Sequence, residues 1–260
     1  MPHDQHEVNR QTWNKMVEMH IDHPDYRVKE FLEGTSTLKW LDKELVGDVA
    51  GKSLIHFMCQ FGLDTLSWAR EGASVVGIDI SDNSIKHANE LKKKAGIEAE
   101  FYRSDILDAI GLIDRKFDVV YQSYGTLCWL SDINRWAEVV AHYLKPGGLF
   151  CIIDGHPMDS LYNGSEHTYF STEPEIDPDP EDYCAPRPKI ESTLIEWQHP
   201  LSATINALIR VGLIIEHVGE YDFSGYVGGE GWIAKDEDFW YPPDGPTPYP
   251  LMMSIKARKS

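Results

Sequence analysis

The chain is poor in cysteine. Cys59, Cys128, Cys151 and Cys184 are the four. None forms a C-x-x-C pair, so no zinc knuckle or dithiol redox motif is written, and no metal site is expected. Cys151 stands in an apolar run and reads as a small buried hydrophobe. Long apolar runs are also lacking: no stretch nears the ~18 residues of a membrane span. The first ten residues, MPHDQHEVNR, are polar and lack a secretory core. These absences predict a reducing, cytoplasmic setting away from membranes. Positive charge is scarce too. Against 42 Asp and Glu stand 24 Lys and Arg, a formal net charge of −18 over 260 residues. Such a surface repels phosphate backbones, which disfavours nucleic acid and favours neutral or cationic small substrates. No internal repeat is visible.

What is present centres on Lys52 to Ser81. Ser53 to Phe57 is a short apolar run that reads as a strand. Gly62 follows it, and Leu63 to Glu71 has helix formers, with Gly72 as the stop. Ser74 to Asp79 is a second buried strand that ends on a carboxylate. Strand, loop, helix and strand make half of a βαβ unit suited to a nucleoside. The loop presents backbone N–H groups, and a strand-end acid can accept from ribose hydroxyls. Asp79 lies 17 positions after Gly62. A dinucleotide fold would show G-x-G-x-x-G, and here Gly62 stands alone.

In chain order, residues 4 to about 22 suggest a helix broken by His23-Pro24, then a short helix closed by Gly34. Ser81 caps a helix that runs to Ala95, with Gly96 as its end. Strands follow at Glu98 to Arg103, Asp118 to Tyr121 and Leu149 to Asp154. Ser131 is expected to cap the helix between the last two. Lys145 to Gly148 reads as a turn. Glu173 to Asp182, EPEIDPDPED, is acidic and proline-punctuated, and is expected to hold no regular structure. Tyr162, His167, Tyr169, Phe170 and Tyr183 surround it. A strand at Thr193 to Trp197 precedes a helix capped by Ser202 with Ile205, Leu208 and Ile209 inside. Strands at Leu213 to Phe223 and Tyr249 to Ala257 close the chain. The alternation predicts a Rossmann-like, doubly wound α/β sheet. Residues 1–50 read as an N-terminal helical extension or lid, and 51–260 as the main domain with an insertion at about 156–192.

Together these motifs resemble class I S-adenosylmethionine-dependent methyltransferases, closely over about residues 50 to 155 and in outline over 193 to 258. Leu54 to Gly62 aligns with the family's (D/E)-x-G-x-G-x-G motif. His56 stands at the acid, and Met58 and Gln60 at two glycines. The pattern H-x-x-C-x-F-G-x-D-T is similar to a subgroup of bacterial small-molecule enzymes. The resemblance implies a seven-stranded sheet whose last strand is antiparallel. It implies S-adenosyl-L-methionine as cofactor, held by His56, Met58, Cys59, Gln60, Gly62, Asp79 with Ile80, Asp105 with Ile106, Gln122 and Ser123. Asp79 matches the ribose-binding acid and Asp105-Ile106 the adenine-reading pair. Lys145 to Gly148 matches a structural turn before strand five.

Methyl transfer from a sulfonium is an in-line displacement, so alignment and exclusion of water supply most of the effect. A base matters only when the nucleophile carries a proton. His156, His199 and Tyr124 are the candidates for that work. Trp13, Tyr26, Trp129, Tyr162 and Trp197 are candidates for substrate walls or lid, since aromatic faces suit a sulfonium or ammonium. The expected activity is methyl transfer to a small-molecule N, O or S nucleophile. Two other classes remain open: a non-catalytic cofactor-binding protein, and a nicotinamide-dependent oxidoreductase.

Overall fold

The computed structural model describes residues 2–159, 168–184 and 186–260. Three helices come first: α1 (Pro2–His20), α2 (Val28–Leu32) and α3 (Trp40–Val46). The alternating stretch is β1 (Ser53–Phe57), α4 (Leu63–Arg70), β2 (Ser74–Asp79), α5 (Asp82–Ala95), β3 (Glu100–Arg103), β4 (Phe117–Ser123), α6 (Ile133–Tyr143) and β5 (Leu144–Gly155). Then come β6 (Glu175–Asp177), β7 (Leu194–Glu196), α7 (Leu201–Arg210), β8 (Leu213–Tyr221), β9 (Ile233–Ala234), β10 (Trp240–Tyr241) and β11 (Met252–Lys259).

Among the described residues, the main sheet has seven strands in the order β3-β2-β1-β4-β5-β11-β8. The pairings from β3 to β5 are parallel, and β11 runs antiparallel to both β5 and β8. The doubly wound sheet with an antiparallel final strand is the expected one. The chain reverses direction of travel across the sheet between β1 and β4, so their carboxyl ends flank a crevice. Strand residues alternate between two core clusters, as period 2 dictates. Ile55, Val76, Val120, Phe150 and Ile152 join Trp136 and Tyr143 on one face. Leu54, Val75, Val119, Cys151 and Ile153 join Trp68 and Phe61 on the other. Both faces are covered, which is why β1 reads as a continuous apolar run.

The leader belongs to that second cluster, through Val17, Phe31, Leu41 and Leu45. Helix α1 bridges two elements at the sheet's carboxyl rim. Arg10 pairs with Asp82, and the Asn14 carboxamide oxygen accepts from Ser81 Oγ at 2.7 Å and the Asn83 amide at 3.1 Å, at the start of α5. On its other side Asn9 exchanges two hydrogen bonds with the Ile195 backbone, at 2.7 and 2.9 Å, on β7.

Several local expectations give way. The cap of α6 is Asp132, which accepts from the Asn134 and Arg135 amides, and not Ser131. Helix α7 starts at Leu201 after Pro200, so Ser202 is inside it. Ile209, expected in the core, is 52% exposed. β5 runs back through Lys145 to Gly148, with its register shifted against β4. Within the acidic insertion, Glu175 to Asp177 pairs antiparallel with Leu194 to Glu196. The prolines at 178 and 180 fall just outside that ladder, so no backbone donor is missing from it.

Candidate functional site

The site begins at the loop after β1. Met58 (φ 56°) and Gln60 (φ 50°) both take the left-handed conformation that favours glycine. The loop therefore keeps the shape of a glycine-rich turn without two of the glycines. Side-chain and backbone contacts hold it there. The Gln60 amide donates to Asp79 Oδ2 at 2.8 Å, the Cys59 amide to the Ile78 carbonyl at 3.0 Å, and the Gln122 carboxamide to Met58 Sδ at 3.8 Å. Gly62 is irreplaceable: at φ 82° a Cβ would lie 2.7 Å from the Phe101 ring. Cys59 turns its thiol to β2, where a Cβ on Gly77 would meet it at 2.6 Å. Burial pushes that thiol far up, so it packs and does not react.

Two carboxylates follow at adjacent strand ends. Asp79 accepts from the Gln60 amide and, at 2.8 Å, from the Ser81 amide. Burial pushes its acid up to about 6 against those amide bonds. Ile80 lies beside it. Asp105 caps the short turn at Ile106 to Asp108 by accepting from the Leu107 amide at 3.0 Å. Its other oxygen meets His6 Nδ1 of α1 at 2.5 Å. Ile106 is buried beneath.

Below the loop runs a polar layer. His56 Nδ1 sits 2.8 Å from Thr65 Oγ1, and its Nε2 is 3.4 Å from Ser123 Oγ. Burial pushes this imidazole down to about 3, so it is neutral where the resembled motif has an acid. An acid stands nearby: Ser123 Oγ also donates to Asp64, at 3.4 Å. Burial raises Asp64, against bonds from Thr37 and Ser123. Gln122 is spent on structure, donating to Thr126 Oγ1 at 2.7 Å and accepting from the Trp136 indole at 2.9 Å. Asp154, at the end of β5, clamps the loop after β4. It accepts from the amides of Gly125, Thr126, Leu127 and Gly155 at 2.5 to 3.0 Å and from Thr126 Oγ1 at 2.6 Å.

The candidate bases are held in other bonds. The Tyr124 hydroxyl donates to buried Asp42 at 3.1 Å, and burial pushes its acidity far down. His156 is buried, accepts from the Met158 amide at 3.1 Å and stacks near Tyr169. His199 Nε2 donates to the Leu130 carbonyl at 2.7 Å. Burial pushes both imidazoles down. His156 Nε2 also faces the Glu220 carboxylate at 3.1 Å, so each of the three already has a partner within the fold.

The aromatic candidates do converge. Trp13 of α1 packs edge-on to Trp129 of the loop after β4, with ring centres 5.4 Å apart. Tyr183 is 6.5 Å from Trp13, and Tyr26 stacks on His20 at 4.9 Å. Trp197 sits apart, edge-on to His6 at 5.3 Å. Tyr162 lies outside the described residues. In the middle of this roof is a group that sequence reasoning missed. His20 Nε2 is 2.8 Å from Asp182 Oδ2, and His20 Nδ1 is 3.0 Å from the Tyr26 hydroxyl and 2.9 Å from Gln60 Nε2. The Tyr26 and Tyr183 hydroxyls bond each other. Cys184 also comes close to His20 and Asp182. The set is joined by hydrogen bonds, since Asp182 Oδ1 already accepts from the Cys184 amide at 2.7 Å. Histidine at a helix end and an acid closing an acidic loop, 162 positions apart, gave no pattern to read.

The comparisons with known proteins point to methyltransferases. Residues 56–152 match the family model described as a methyltransferase domain. A ubiquinone biosynthesis O-methyltransferase of Chelativorans is 32% identical over 102 residues, spanning 39% of this chain and 40% of that protein. A ribosomal protein L11 methyltransferase of Neisseria meningitidis is 29% identical over 112 residues, spanning 43% of this chain and 34% of that protein. The chain thus spans two fifths or less of the length of these curated relatives. The crystal structure of an S-adenosylmethionine-dependent methyltransferase from Mesorhizobium loti superposes with a TM-score of 0.57 at 21% identity, covering 88% of this chain and 100% of that one. That likeness is one of fold. The stretch from His56 in β1 to Ile152 in β5 is the part of the chain similar to methyltransferase domains.

Proposed function

We propose that this chain is an S-adenosylmethionine-dependent methyltransferase acting on a small-molecule nucleophile. The observation that carries the reading is the pair of strand-end carboxylates, Asp79 and Asp105, beside a loop that keeps its left-handed turns at Met58 and Gln60. The donor set fits the cofactor. Asp79 accepts from the Gln60 and Ser81 amides, and burial raises its acid, so further donors would stabilise its charged form. Two ribose hydroxyls would be such donors. Asp105 would share its outer oxygen between His6 and an adenine amino group, with Ile80 and Ile106 as apolar walls. Asp64 and Ser123, beside the neutral His56, would face the methionine end, where an ammonium wants an acid. Bound in this crevice, the cofactor supplies an electrophilic methyl group on a sulfonium.

The chain's own residues then have three tasks: to hold the acceptor in line, to exclude water and to tolerate a cation. Trp13, Tyr26, Trp129 and Tyr183 supply flat walls for that. Helix α1 roofs the crevice from α5 to β7, which favours a small acceptor over a macromolecule. The test is transfer of a labelled methyl group from S-adenosylmethionine into a metabolite extract. A labelled small-molecule product that needs the intact protein supports the reading. Label in none of the extract, from a protein that binds the cofactor, would leave a binding protein instead.

A further inference from the structure

The roof contains more than walls. Asp182 and His20 are almost wholly buried, with side chains 1% and 0% exposed. Asp182 fixes the histidine tautomer. Burial alone would raise its acid, but the bonds from His20 and the Cys184 amide outweigh burial and hold it below the usual range. It is therefore an acceptor, and His20 Nε2 must carry the proton that faces it. That leaves Nδ1 as an acceptor. Three groups around Nδ1 can donate to it: Tyr26 Oη–H at 3.0 Å, Gln60 Nε2–H at 2.9 Å and, more distantly, Tyr183 Oη–H at 3.5 Å; Gln60 Nε2 also donates to Tyr26 Oη at 2.9 Å. In the arrangement that gives the Tyr26 proton to His20, Gln60 donates to Tyr26 Oη and the bond between the two tyrosines runs from Tyr183 Oη–H to Tyr26 Oη. Tyr183 Oη then keeps lone pairs for an incoming donor. Its ring is 43% exposed, the open end of an otherwise buried chain. The chain is tied to the crevice, because Gln60 bonds His20 with its side chain and Asp79 with its amide.

We propose that Tyr183, Tyr26, His20 and Asp182 form a proton relay that takes up the proton of a hydroxyl acceptor as its oxygen is methylated. The inference rests on the methyltransferase reading and narrows the acceptor to a protic oxygen, such as a phenol. As the acceptor oxygen bonds the methyl carbon, the carbon–sulfur bond breaks and its electron pair stays on sulfur. The acceptor's proton moves to Tyr183 Oη, the Tyr183 proton to Tyr26 Oη, and the Tyr26 proton to His20 Nδ1. The sulfonium charge thus reappears as an imidazolium facing the Asp182 carboxylate. Burial pushes the Tyr26 phenol far above its usual range, so it passes a proton on and does not ionise. Tyr183 is the catalytic residue, and Tyr26, His20 and Asp182 act through it.

Two measurements test this, both on the full chain. In [15N]histidine-labelled protein at pH 8, NMR should show a neutral His20 protonated at Nε2. Tyr26→Phe, which keeps the ring stack, should shift the Nδ1 resonance, because Gln60 is left as its near donor. A proton on Nδ1, or no change in Tyr26→Phe, overturns the relay. The second measurement uses labelled S-adenosylmethionine with ring-substituted phenols of graded acidity. Tyr26→Phe and His20→Gln should lower kcat at least a hundredfold for the least acidic phenol and less than tenfold for the most acidic one. Tyr26→Phe, which leaves the Gln60–His20 bond in place, should keep its calorimetric affinity for S-adenosylmethionine within threefold. An equal loss across the series, or turnover of no phenol by wild-type protein that binds the cofactor, overturns the inference. Failure of the wild-type protein to bind S-adenosylmethionine would instead defeat the reading beneath it.

Discussion

Single carboxylates in this molecule do very different work because their surroundings differ. Asp118 sits at the rim with Lys145 at 2.8 Å, and bonds to it outweigh burial and hold it near 2. Asp42 is fully buried, with Asp64 close by, and burial with that second acid pushes it up to about 7 against bonds from Tyr121 and the Lys39 amide. An acid raised on folding adds stability below its unfolded value and loses that advantage as pH climbs through the folded one. Asp42 is therefore a net cost above neutral pH. Asp42→Asn should gain on the wild type by about 1–3 kcal/mol between pH 5 and pH 8, read as the change in the difference of urea midpoints. A difference that stays constant with pH would show that Asp42 is ionised in the fold at all those values. The same contrast explains the histidines. His156 and His199 read alike in sequence as candidate bases at the rim. Burial pushes both down, although His156 has Glu220 beside it and His199 a backbone carbonyl, while His20, hidden at a helix end, is paired with buried Asp182.

At the scale of elements, the strands and the helices with strong stops were legible. Helix α5 runs between Ser81 and Gly96 because a hydroxyl accepts from the Ser84 amide and a left-handed residue closes it. β6 was not legible, because its pairing with β7 depends on a partner far along the chain and two prolines signalled against it. The loop after β1 was half legible. Its sequence has lost two glycines, yet its left-handed turns persist, since the Gln60 amide and carboxamide are fastened at both ends. The loop after β4 depends on one residue no motif announced. Asp154 accepts five bonds from it and from Gly155, and Tyr124 and Gly125 both take positive φ beside it. Asp154→Ala leaves four amides and a hydroxyl without their acceptor. It should cost about 2–4 kcal/mol in urea unfolding, and Asp154→Asn about half of that. Loss below about 1 kcal/mol would mean the loop holds its shape through other contacts.

Across the whole molecule, the sheet order puts the ends of β1, β2, β3 and β4 side by side, and the leader returns over them. Residues far apart in sequence then meet around one crevice: His6 at Asp105, His20 at Gln60, Trp13 at Trp129. That convergence was invisible in the chain, where the leader read as a packed extension first and a lid second. Its residues Val17 and Phe31 lie in the core, while His6 and His20 bond Asp105 and Gln60 at the crevice. No helix among the described residues is long and apolar enough to cross a membrane. The central claim is that two strand-end carboxylates define an adenosyl site. Isothermal titration of the purified protein with S-adenosylmethionine, with NAD as control, tests it most directly. The account predicts one cofactor bound per chain, no NAD binding, and at least tenfold weaker binding in folded Asp79→Ala, about 1.4 kcal/mol or more. Unchanged affinity in that variant, or a preference for NAD, would contradict it.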